Sequence, residues 1–346
     1  MQKKSSMLSK YPPIISVILP VFNGEDHLAE CIESILHQTY TNFEFIIVDD
    51  ASTDKTPKIL KKYSSQDERI KIITNLVNQK QTISANIACK NAGGKYLARM
   101  DADDIALPMR LKKQFDFLEK YPAYGLVGSW TDTINENGEI LGQWKTASET
   151  GVLNWNLLFG TSFAHSSVTM RTALVKEAGY YQSPEAEDYD LWSRLSRVSE
   201  VANLPEVLQQ KRVWGGQLAL KVPNETRDCV LQIMQNNINY LLNSSNLNFD
   251  MIINIRQISD KTIPIQDSQL ISEIKNVLLQ LYSKYLLKFN LTKIENKKVS
   301  RDVFQKLYTL SDWQFSANYY KALIEKIYLV YRFPKLYLYS LLHSKK

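Results

Sequence analysis

Apolar runs that end in polar residues alternate with segments of helical periodicity in the first part of the chain, and this alternation restricts the fold more than any other feature. Ile14–Leu19 is an unbroken apolar run that ends at Pro20, as expected for a strand buried on both faces. Leu28 to Leu36 carries apolar residues at helical spacing, and Phe43–Val48 is a second apolar run. A strand, a helix and a strand in this order predict two neighbouring parallel strands.

The same alternation continues to Trp130. Pro57 lies in the first turn of a predicted helix that Thr53 or Asp54 can cap. The remaining predicted elements are strands at Ile70–Thr74, Lys95–Met100 and Tyr124–Trp130, helices at Ser84–Ala92 and after Pro108, and a hairpin turn at Asn137-Gly138. The pattern predicts an α/β fold with a mostly parallel sheet.

The second part of the chain has a different character, because from Asp228 onwards only helical spacing is found. We place a boundary near Pro223, which predicts a sheet domain at 14–222 and a helical C-terminal region at 223–346. Trp313–Lys346 is basic, aromatic and amphipathic, as a contact with an anionic membrane surface requires. A helical subdomain that packs its apolar stripe on a core explains the same pattern equally well.

Charge and cysteine content exclude several classes of protein. A formal net charge of +6 is too small and too dispersed for a dedicated nucleic-acid binder. The three cysteines, Cys31, Cys89 and Cys229, are far apart in sequence, so neither a zinc site nor a disulfide framework is indicated. No apolar core of a signal peptide precedes Pro12, and no apolar run reaches the length of a membrane span. We expect a cytoplasmic protein.

Acidic residues follow the strand predicted at Lys95–Met100. Alternation along a strand places Asp101 and Asp103 on one side, where they can share one divalent ion. Open α/β sheets bind ligands at the carboxyl ends of their strands. Oxygen ligands favour Mg²⁺ or Mn²⁺, which complete their shells with substrate phosphates. A calcium loop is excluded because Ala106 and Lys112 stand where it needs Gly and Glu.

Two more acidic clusters follow predicted buried runs or open predicted helices. Asp50 at the end of Phe43–Val48 can accept the ring N–H of uracil or thymine, with Pro20 and Phe22 beside it; alternatively, an aspartate there caps the next helix. Asp188 opens an amphipathic segment and is our candidate for the general base that deprotonates an acceptor hydroxyl. Acids at a helix start also stabilise the helix dipole, which is the structural alternative for this cluster.

The order of these segments resembles the inverting glycosyltransferase family 2, whose members have the GT-A fold. The resemblance covers Ile15 to Arg212 and rests on SVILPVFN, FEFIIVDDASTD, NAGGKYLARMDADD, HSSVTMR, AEDYDLW and NLPEVL in that order. It implies that Asp50 contacts the base, that Asp101 and Asp103 form the DxD motif for ribose, diphosphate and Mn²⁺ or Mg²⁺, and that Asp188 is the catalytic base.

Four further positions follow from the resemblance. Asn86 matches a donor-side motif, although Ala88 replaces the glycine that is usual there. His165 matches a position that can line the acceptor site, and a packed structural histidine is the alternative. Trp214 stands where the family often has a histidine near the metal.

The function implied by the resemblance is transfer of a sugar, with inversion, from a UDP- or dTDP-sugar to a glycan or lipid-linked acceptor of the cell surface. The C-terminus then suits a peripheral position at the inner face of the plasma membrane. A non-catalytic sugar-nucleotide or glycan-binding relative is the alternative function. A nucleotidyltransferase is disfavoured because LPVFNGEDHL lacks a glycine-rich, arginine-containing loop.

Overall fold

The computed structural model describes residues 12–213, 223–244, 247–260, 265 and 267–317. The chain divides into two compact units. The sheet unit comprises residues 1–150 and 161–226, and the helical unit comprises residues 151–160 and 227–346. Pro223 lies next to residues outside the described part, so the predicted boundary at that residue remains a prediction. The assignment of 151–160 to the helical unit was not foreseen.

The described residues contain nine strands and eleven α-helices. The strands are β1 Ile15–Val21, β2 Phe43–Asp49, β3 Ile70–Thr74, β4 Tyr96–Arg99, β5 Ile105–Ala106, β6 Tyr124–Ile134, β7 Ile140–Trp144, β8 Thr169–Arg171 and β9 Glu200–Arg212. The helices are α1 Leu28–Leu36, α2 Thr56–Ser64, α3 Lys80–Asn91, α4 Arg110–Lys120, α5 Thr150–Asn156, α6 Thr172–Glu177, α7 Glu187–Leu195, α8 Asn224–Leu242, α9 Phe249–Asp260, α10 Ser268–Lys288 and α11 Lys293–Ala317.

The strands form one sheet in the order β3-β2-β1-β4-β8-β6-β9-β5, with β7 paired to β6. The pairs β2–β3, β1–β2 and β1–β4 are parallel, which confirms the predicted parallel sheet. The antiparallel strand β8 lies between β4 and β6. The carboxyl ends of β1, β2 and β4 therefore meet at one edge, where the predicted acidic residues follow β2 and β4.

Helix α1 shows why the sequence packs a helix against this sheet. Its apolar residues Leu28, Cys31, Ile32 and Ile35 are fully buried, and they lie at the helical spacing predicted from the sequence. They pack in one core cluster with alternate residues of β1. A buried apolar side chain of this size contributes roughly 1.5–3 kcal/mol, so this face fixes the helix against the sheet.

The predicted helix starts needed correction. Helix α2 begins at Thr56 after the N-cap residue Lys55, which makes no side-chain cap bond, so Thr53 and Asp54 are not its N-cap. Asp54 acts one residue earlier, because its carboxylate accepts hydrogen bonds from the backbone N–H groups of Thr56 and Glu25. Helix α3 begins at Lys80, four residues before the predicted start at Ser84. The predicted hairpin turn is confirmed, with Gly138 at φ +83° between β6 and β7.

The helical unit contains residues 151–160 as well as the C-terminal helices. Trp155 is fully buried, packs edge-on against the rings of Phe159 and Tyr285, and donates from Nε1 to Asp302 Oδ2 at 2.7 Å. Glu295 Oε1 accepts from the backbone N–H of Gly151 at 2.8 Å. These contacts make 151–160 part of the core of this unit.

Two predicted features lie outside the described residues. One is Trp214, and the other is the segment 318–346, which is most of the basic aromatic C-terminus. Within the described residues, no helix combines the length and the apolar character needed to cross a membrane.

Candidate active site

A cavity of about 1010 Å³ opens at the carboxyl ends of β1, β2 and β4. Pro20, Phe22, Asp50, Asp101 and Asp103, which were predicted from separate segments, all line it. The lining also includes residues at or just before the start of α3 and near the end of β9, namely Asn78, Lys80, Gln81, Ser84 and Lys211. A concave site with a few convergent polar groups is the usual form of a small-molecule site.

At this edge, one carboxylate oxygen of Asp50 already accepts hydrogen bonds from within the protein. Its side chain is buried, and Oδ1 accepts from Asn75 Nδ2 at 2.7 Å and from the backbone N–H of Gln79 at 2.8 Å. No described residue donates to Oδ2, and the residue lines the cavity. Neither Asp50 nor Asp49, which accepts from the backbone N–H of Ser52, caps α2, so the alternative reading as a helix cap is wrong. Asn75 was not foreseen.

Asp101 is paired with a fully buried arginine. Arg99 Nη2 lies 2.7 Å from Asp101 Oδ1 as an ion pair, without the angles of a hydrogen bond. Burial works to raise the pKa of Asp101, but Arg99, followed by His165, lowers that pKa below its ordinary value. The Asp101 carboxylate is therefore ionised at neutral pH. Arg99, which the sequence interpretation missed, supplies the charge that keeps it so.

The third acid of this segment has a structural role. Asp104 is buried, accepts from the backbone N–H of Arg212 at 2.9 Å, and accepts from the hydroxyl of Ser166. Burial, and then the charges of Asp101 and Asp103, raise the pKa of Asp104 to about 7. Asp103 is half-buried and lines the cavity. The carboxylate of Asp103 is therefore open to the cavity.

The residues present fit a Mg²⁺ or Mn²⁺ ion bound together with substrate. No cluster of three or more His, Cys, Asp or Glu side chains in the described residues could hold an ion without further ligands. Mg²⁺ is normally bound by one or two carboxylates, with water and substrate phosphates completing the shell. Asp101 and Asp103 supply such a pair in a cavity large enough for a diphosphate.

His165 packs in an aromatic cluster beside this site. Its ring lies edge-on to Tyr181 and Trp192, and burial, followed by Arg99, lowers its pKa to about 4. It is therefore neutral at pH 7. His165 does not line the cavity, which agrees with the structural alternative for this residue.

Asp188 lies in the first turn of α7, next to an acid that the sequence interpretation did not single out. Asp188 is half-buried, and its neighbour Glu187 has a side chain only 12% exposed. Burial, and then the charge of Asp188, raise the pKa of Glu187 to about 7. Asp188 does not line the cavity, but Gln81 does, and its Nε2 donates to Glu187 Oε1 at 2.9 Å. Gln81 thus connects the cavity wall to the acids of α7.

Asn86 has a different place from the one implied by the resemblance. Its Nδ2 donates to the carbonyl of Tyr181 at 2.8 Å, and its Oδ1 accepts from the backbone N–H of Tyr181 at 3.0 Å. Asn86 does not line the cavity. The paired bonds anchor Tyr181, which lies in the segment that leads into α7.

Comparisons with known proteins identify the family of the chain. Residues 16–176 match the family model "Glycosyl transferase family 2". A glycosyltransferase of Haemophilus influenzae is 33% identical over 293 residues, which cover 82% of this chain and 89% of that protein. The O-antigen biosynthesis glycosyltransferase WbnJ of Escherichia coli is 35% identical over 184 residues, which cover 53% of this chain and 71% of WbnJ.

A solved structure is similar over most of the chain. TarS 1–349 of S. aureus in complex with UDP-GlcNAc has a TM-score of 0.58 and 20% identity, covering 88% of this chain and 93% of that chain. This likeness confirms the predicted GT-A fold. The Haemophilus relative, similar along most of both chains, and the family model together show that the chain is a glycosyltransferase and belongs to glycosyl transferase family 2.

Proposed function

We propose that the chain transfers a sugar, with inversion of the anomeric carbon, from a UDP- or dTDP-sugar to a glycan or lipid-linked acceptor. The observation that carries this proposal is the single cavity lined by Asp50, Asp101 and Asp103 at the carboxyl ends of parallel strands. Each carboxylate has a different environment, and each environment suits one part of a nucleotide sugar.

Asp50 is the proposed reader of the base. Its Oδ1 is occupied by Asn75 and Gln79, which leaves Oδ2 to accept the ring N3–H of uracil or thymine. Pro20 and Phe22 supply apolar surface next to it, and Phe22 is 50% exposed. Cytosine carries no proton at N3, so this contact favours uridine and thymidine sugars over cytidine sugars.

Asp101 and Asp103 are the proposed contacts for ribose, diphosphate and metal. Asp103, with Asp101 beside it, would hold Mg²⁺ or Mn²⁺, which when bound neutralises charge on the departing diphosphate. Lys80 and Lys211 line the same cavity and add positive charge close to the phosphates. Arg99 keeps Asp101 ionised and oriented.

Asp188 is the proposed general base. The acceptor oxygen forms a bond to the anomeric carbon as the bond from that carbon to the diphosphate breaks, and Asp188 takes the hydroxyl proton. One displacement of this kind inverts the anomeric centre. Gln81 holds Glu187 in the first turn of α7, and Asn86 anchors Tyr181 in the segment before this helix, so both support the position of Asp188.

The proposed acceptor is a cell-surface glycan or its lipid-linked precursor. The name of WbnJ refers to O-antigen biosynthesis, which supports a surface glycan as the product. The basic, aromatic sequence of the C-terminus supports a peripheral position at the inner face of the plasma membrane. A non-catalytic sugar-nucleotide or glycan-binding relative is the second candidate function. It is favoured by the finding that Asp188 does not line the cavity.

A donor titration tests the proposal. The protein is titrated with a panel of nucleotide diphosphate sugars, with and without Mn²⁺, and both calorimetric binding and release of free nucleotide are recorded. We expect metal-dependent binding of one uridine or thymidine sugar, and its loss in Asp103→Ala. Absence of binding to every donor contradicts the proposal.

Asp188→Asn separates a transferase from a binding protein. This variant keeps the shape of the side chain but cannot accept a proton, so we expect donor binding within about twofold of wild type and transfer reduced by at least about 100-fold. Wild-type protein that binds a donor and never releases nucleotide supports the non-catalytic candidate. An active Asp188→Asn variant contradicts the assignment of the base.

A further inference from the structure

The turn between α10 and α11 exposes apolar and basic side chains together. In the helical unit, α10 ends at Lys288 and α11 begins at Lys293. The hydroxyl oxygens of Tyr282 in α10 and Ser300 in α11 are hydrogen-bonded at 2.6 Å. We call residues 284–301 the α10–α11 corner. Leu287 is 85% exposed and Ile294 is 64% exposed there, although the inward-facing Tyr285 and Val299 are buried. The corner is therefore packed on its inner side and exposes apolar side chains on its outer side.

The charge of the corner is of one sign. Its cations are Lys284, Lys288, Lys293, Lys297, Lys298 and Arg301, all of them exposed. Glu295 is the only acidic residue in the sequence of the corner, and it is buried, where it accepts from the backbone N–H groups of Gly151 and Thr292. The outer surface of the corner therefore presents positive charge without an exposed carboxylate of its own.

Helical spacing organises these cations. Lys293, Lys297 and Arg301 recur at every fourth residue, which places them in one row along α11. Ile294 lies next to this row, and Leu287 lies in the last turn of α10. Exposed aliphatic side chains bordered by lysines are typical of helices that lie on an anionic bilayer, where the aliphatic groups enter the interface and the lysines contact the headgroups.

We propose that the α10–α11 corner docks on an anionic lipid surface, with Leu287 and Ile294 entering the interface and the surrounding lysines contacting lipid headgroups. Charge complementarity decides between this partner and two others. A second copy would present the same positive corner. The C-terminal segment 318–346 carries Lys321, Lys326, Arg332, Lys335, Lys345 and Lys346 against Glu325 alone, so like charges disfavour it as a cover.

Vesicle binding of the full chain tests the proposal. Flotation with phosphatidylcholine vesicles is compared with flotation with vesicles containing 30% phosphatidylglycerol, at low and at high salt. The test variant is Lys284→Gln/Lys293→Gln/Lys297→Gln, and the matched control is Lys58→Gln/Lys61→Gln/Lys62→Gln on the exposed face of α2. One lysine near an anionic surface contributes about 1 kcal/mol, a factor of about five, so we expect the test variant to bind roughly 100-fold more weakly.

A second pair of variants tests the apolar contact. Leu287→Ser/Ile294→Ser should weaken binding by at least about tenfold, because the inserted methylenes are lost. The control Leu76→Ser/Val77→Ser removes side chains that are 97% and 66% exposed in the sheet unit, and it should bind like wild type. Circular dichroism melting establishes that each variant is folded. The proposal does not depend on the proposed sugar transfer, and failure of the donor titration leaves this test unchanged.

Three results overturn the proposal. The first is equal binding to neutral and to anionic vesicles. The second is wild-type binding by both corner variants, which assigns membrane contact to another segment. The third is that the lysine variant loses binding to heparin or DNA but binds vesicles as wild type does, which assigns the corner to a soluble polyanion.

Discussion

The ion pair of Arg99 and Asp101 gives the clearest prediction at the scale of single residues. Removing one member of a buried pair leaves the other charge uncompensated and costs roughly 3–5 kcal/mol when both are buried. The cost here is smaller because the Asp101 side chain is 27% exposed. We expect Arg99→Met and Asp101→Asn each to lower the free energy of unfolding, and the double variant to lose less than the sum, with a coupling of about 0.5–3 kcal/mol.

Urea denaturation at pH 7.5 measures this cycle. The matched control is the exposed pair Lys95 and Glu119, whose side chains are 54% and 41% exposed and whose coupling should be below about 1 kcal/mol. Equal coupling for the two pairs contradicts a special role for Arg99. Donor affinity of the same variants shows whether Arg99 acts through Asp101. If it does, the double variant should bind the donor no more weakly than Asp101→Asn alone.

Glu187 predicts a pH dependence of stability. Its pKa is raised to about 7 in the folded protein from an ordinary value near 4.5, so the folded state binds this proton more tightly than the unfolded state. The protonated acid therefore stabilises the fold below about pH 4.5, and this contribution is lost as the pH rises to about 7. Gln mimics the protonated acid at every pH.

We expect Glu187→Gln to melt at a higher temperature than wild type at pH 8, with the difference shrinking as the pH falls from 7 towards 4.5. Calorimetric scans at half-unit intervals check this. Glu119→Gln is a suitable control, because Lys95 and Tyr96 hold the pKa of Glu119 below its ordinary value, so its difference from wild type should change only below about pH 4.5 and stay constant across this range. A constant difference between wild type and Glu187→Gln across this range contradicts the prediction.

The sequence could predict Asp50, Asp101 and Asp103 because their position follows from a local rule, namely that each follows a buried parallel strand. It could not predict Gln81 as the partner of Glu187, since these residues are 106 positions apart and meet only through packing of α3 against the segment before α7. Asp104 looked like its neighbours, and only burial distinguishes it.

At the scale of elements, the start of α3 is strained. Lys80, the first residue of α3, has φ +72°, a left-handed conformation that costs an L-residue roughly 1–2 kcal/mol. Glycine adopts this conformation without a Cβ penalty but loses more freedom on folding. We expect Lys80→Gly to exceed Lys80→Ala in free energy of unfolding by about 0.5–1 kcal/mol.

Denaturant titration of both variants isolates the backbone term, because both lack the lysine side chain. The same pair of substitutions at Lys90, in the last turn of α3, serves as the control, and there Gly should be less stable than Ala by about 1 kcal/mol. An Ala variant more stable than Gly at position 80 removes the argument for strain.

Elements with strong local patterns were predicted closely, whereas elements defined by pairing were not. The strand at Ile70–Thr74 and the buried stripe of α1 have the predicted bounds, because period and burial agree within each segment. Strand β8 has only three residues and enters the sheet between β4 and β6 from far along the chain, so no local pattern marks it. The early start of α3 depends on Asp50 accepting from the backbone N–H of Gln79, a contact made across the fold.

At the scale of the whole molecule, a single cut of the chain near Pro223 divides the helical unit. Residues 151–160 belong to that unit, and their contacts with α8–α11 bury Trp155 and Leu157. The sequence could not show this, since a short apolar helix between strands has the same pattern whether it covers a sheet or joins a distant bundle. The predicted domain limits 14–222 are therefore open to a direct test.

We expect a chain truncated after residue 222 to aggregate or to bind a dye for exposed apolar surface, because Trp155, Phe159 and Leu153 lose the helices that bury them within their unit. Replacing 151–160 in the truncated chain by a Gly/Ser segment of equal length should restore a monomer with a cooperative melt, since the apolar residues are then gone. Size-exclusion chromatography and dye fluorescence compare the two. If the simple truncation is already monomeric and binds no dye, 151–160 does not need the helical unit, and a boundary near Pro223 suffices.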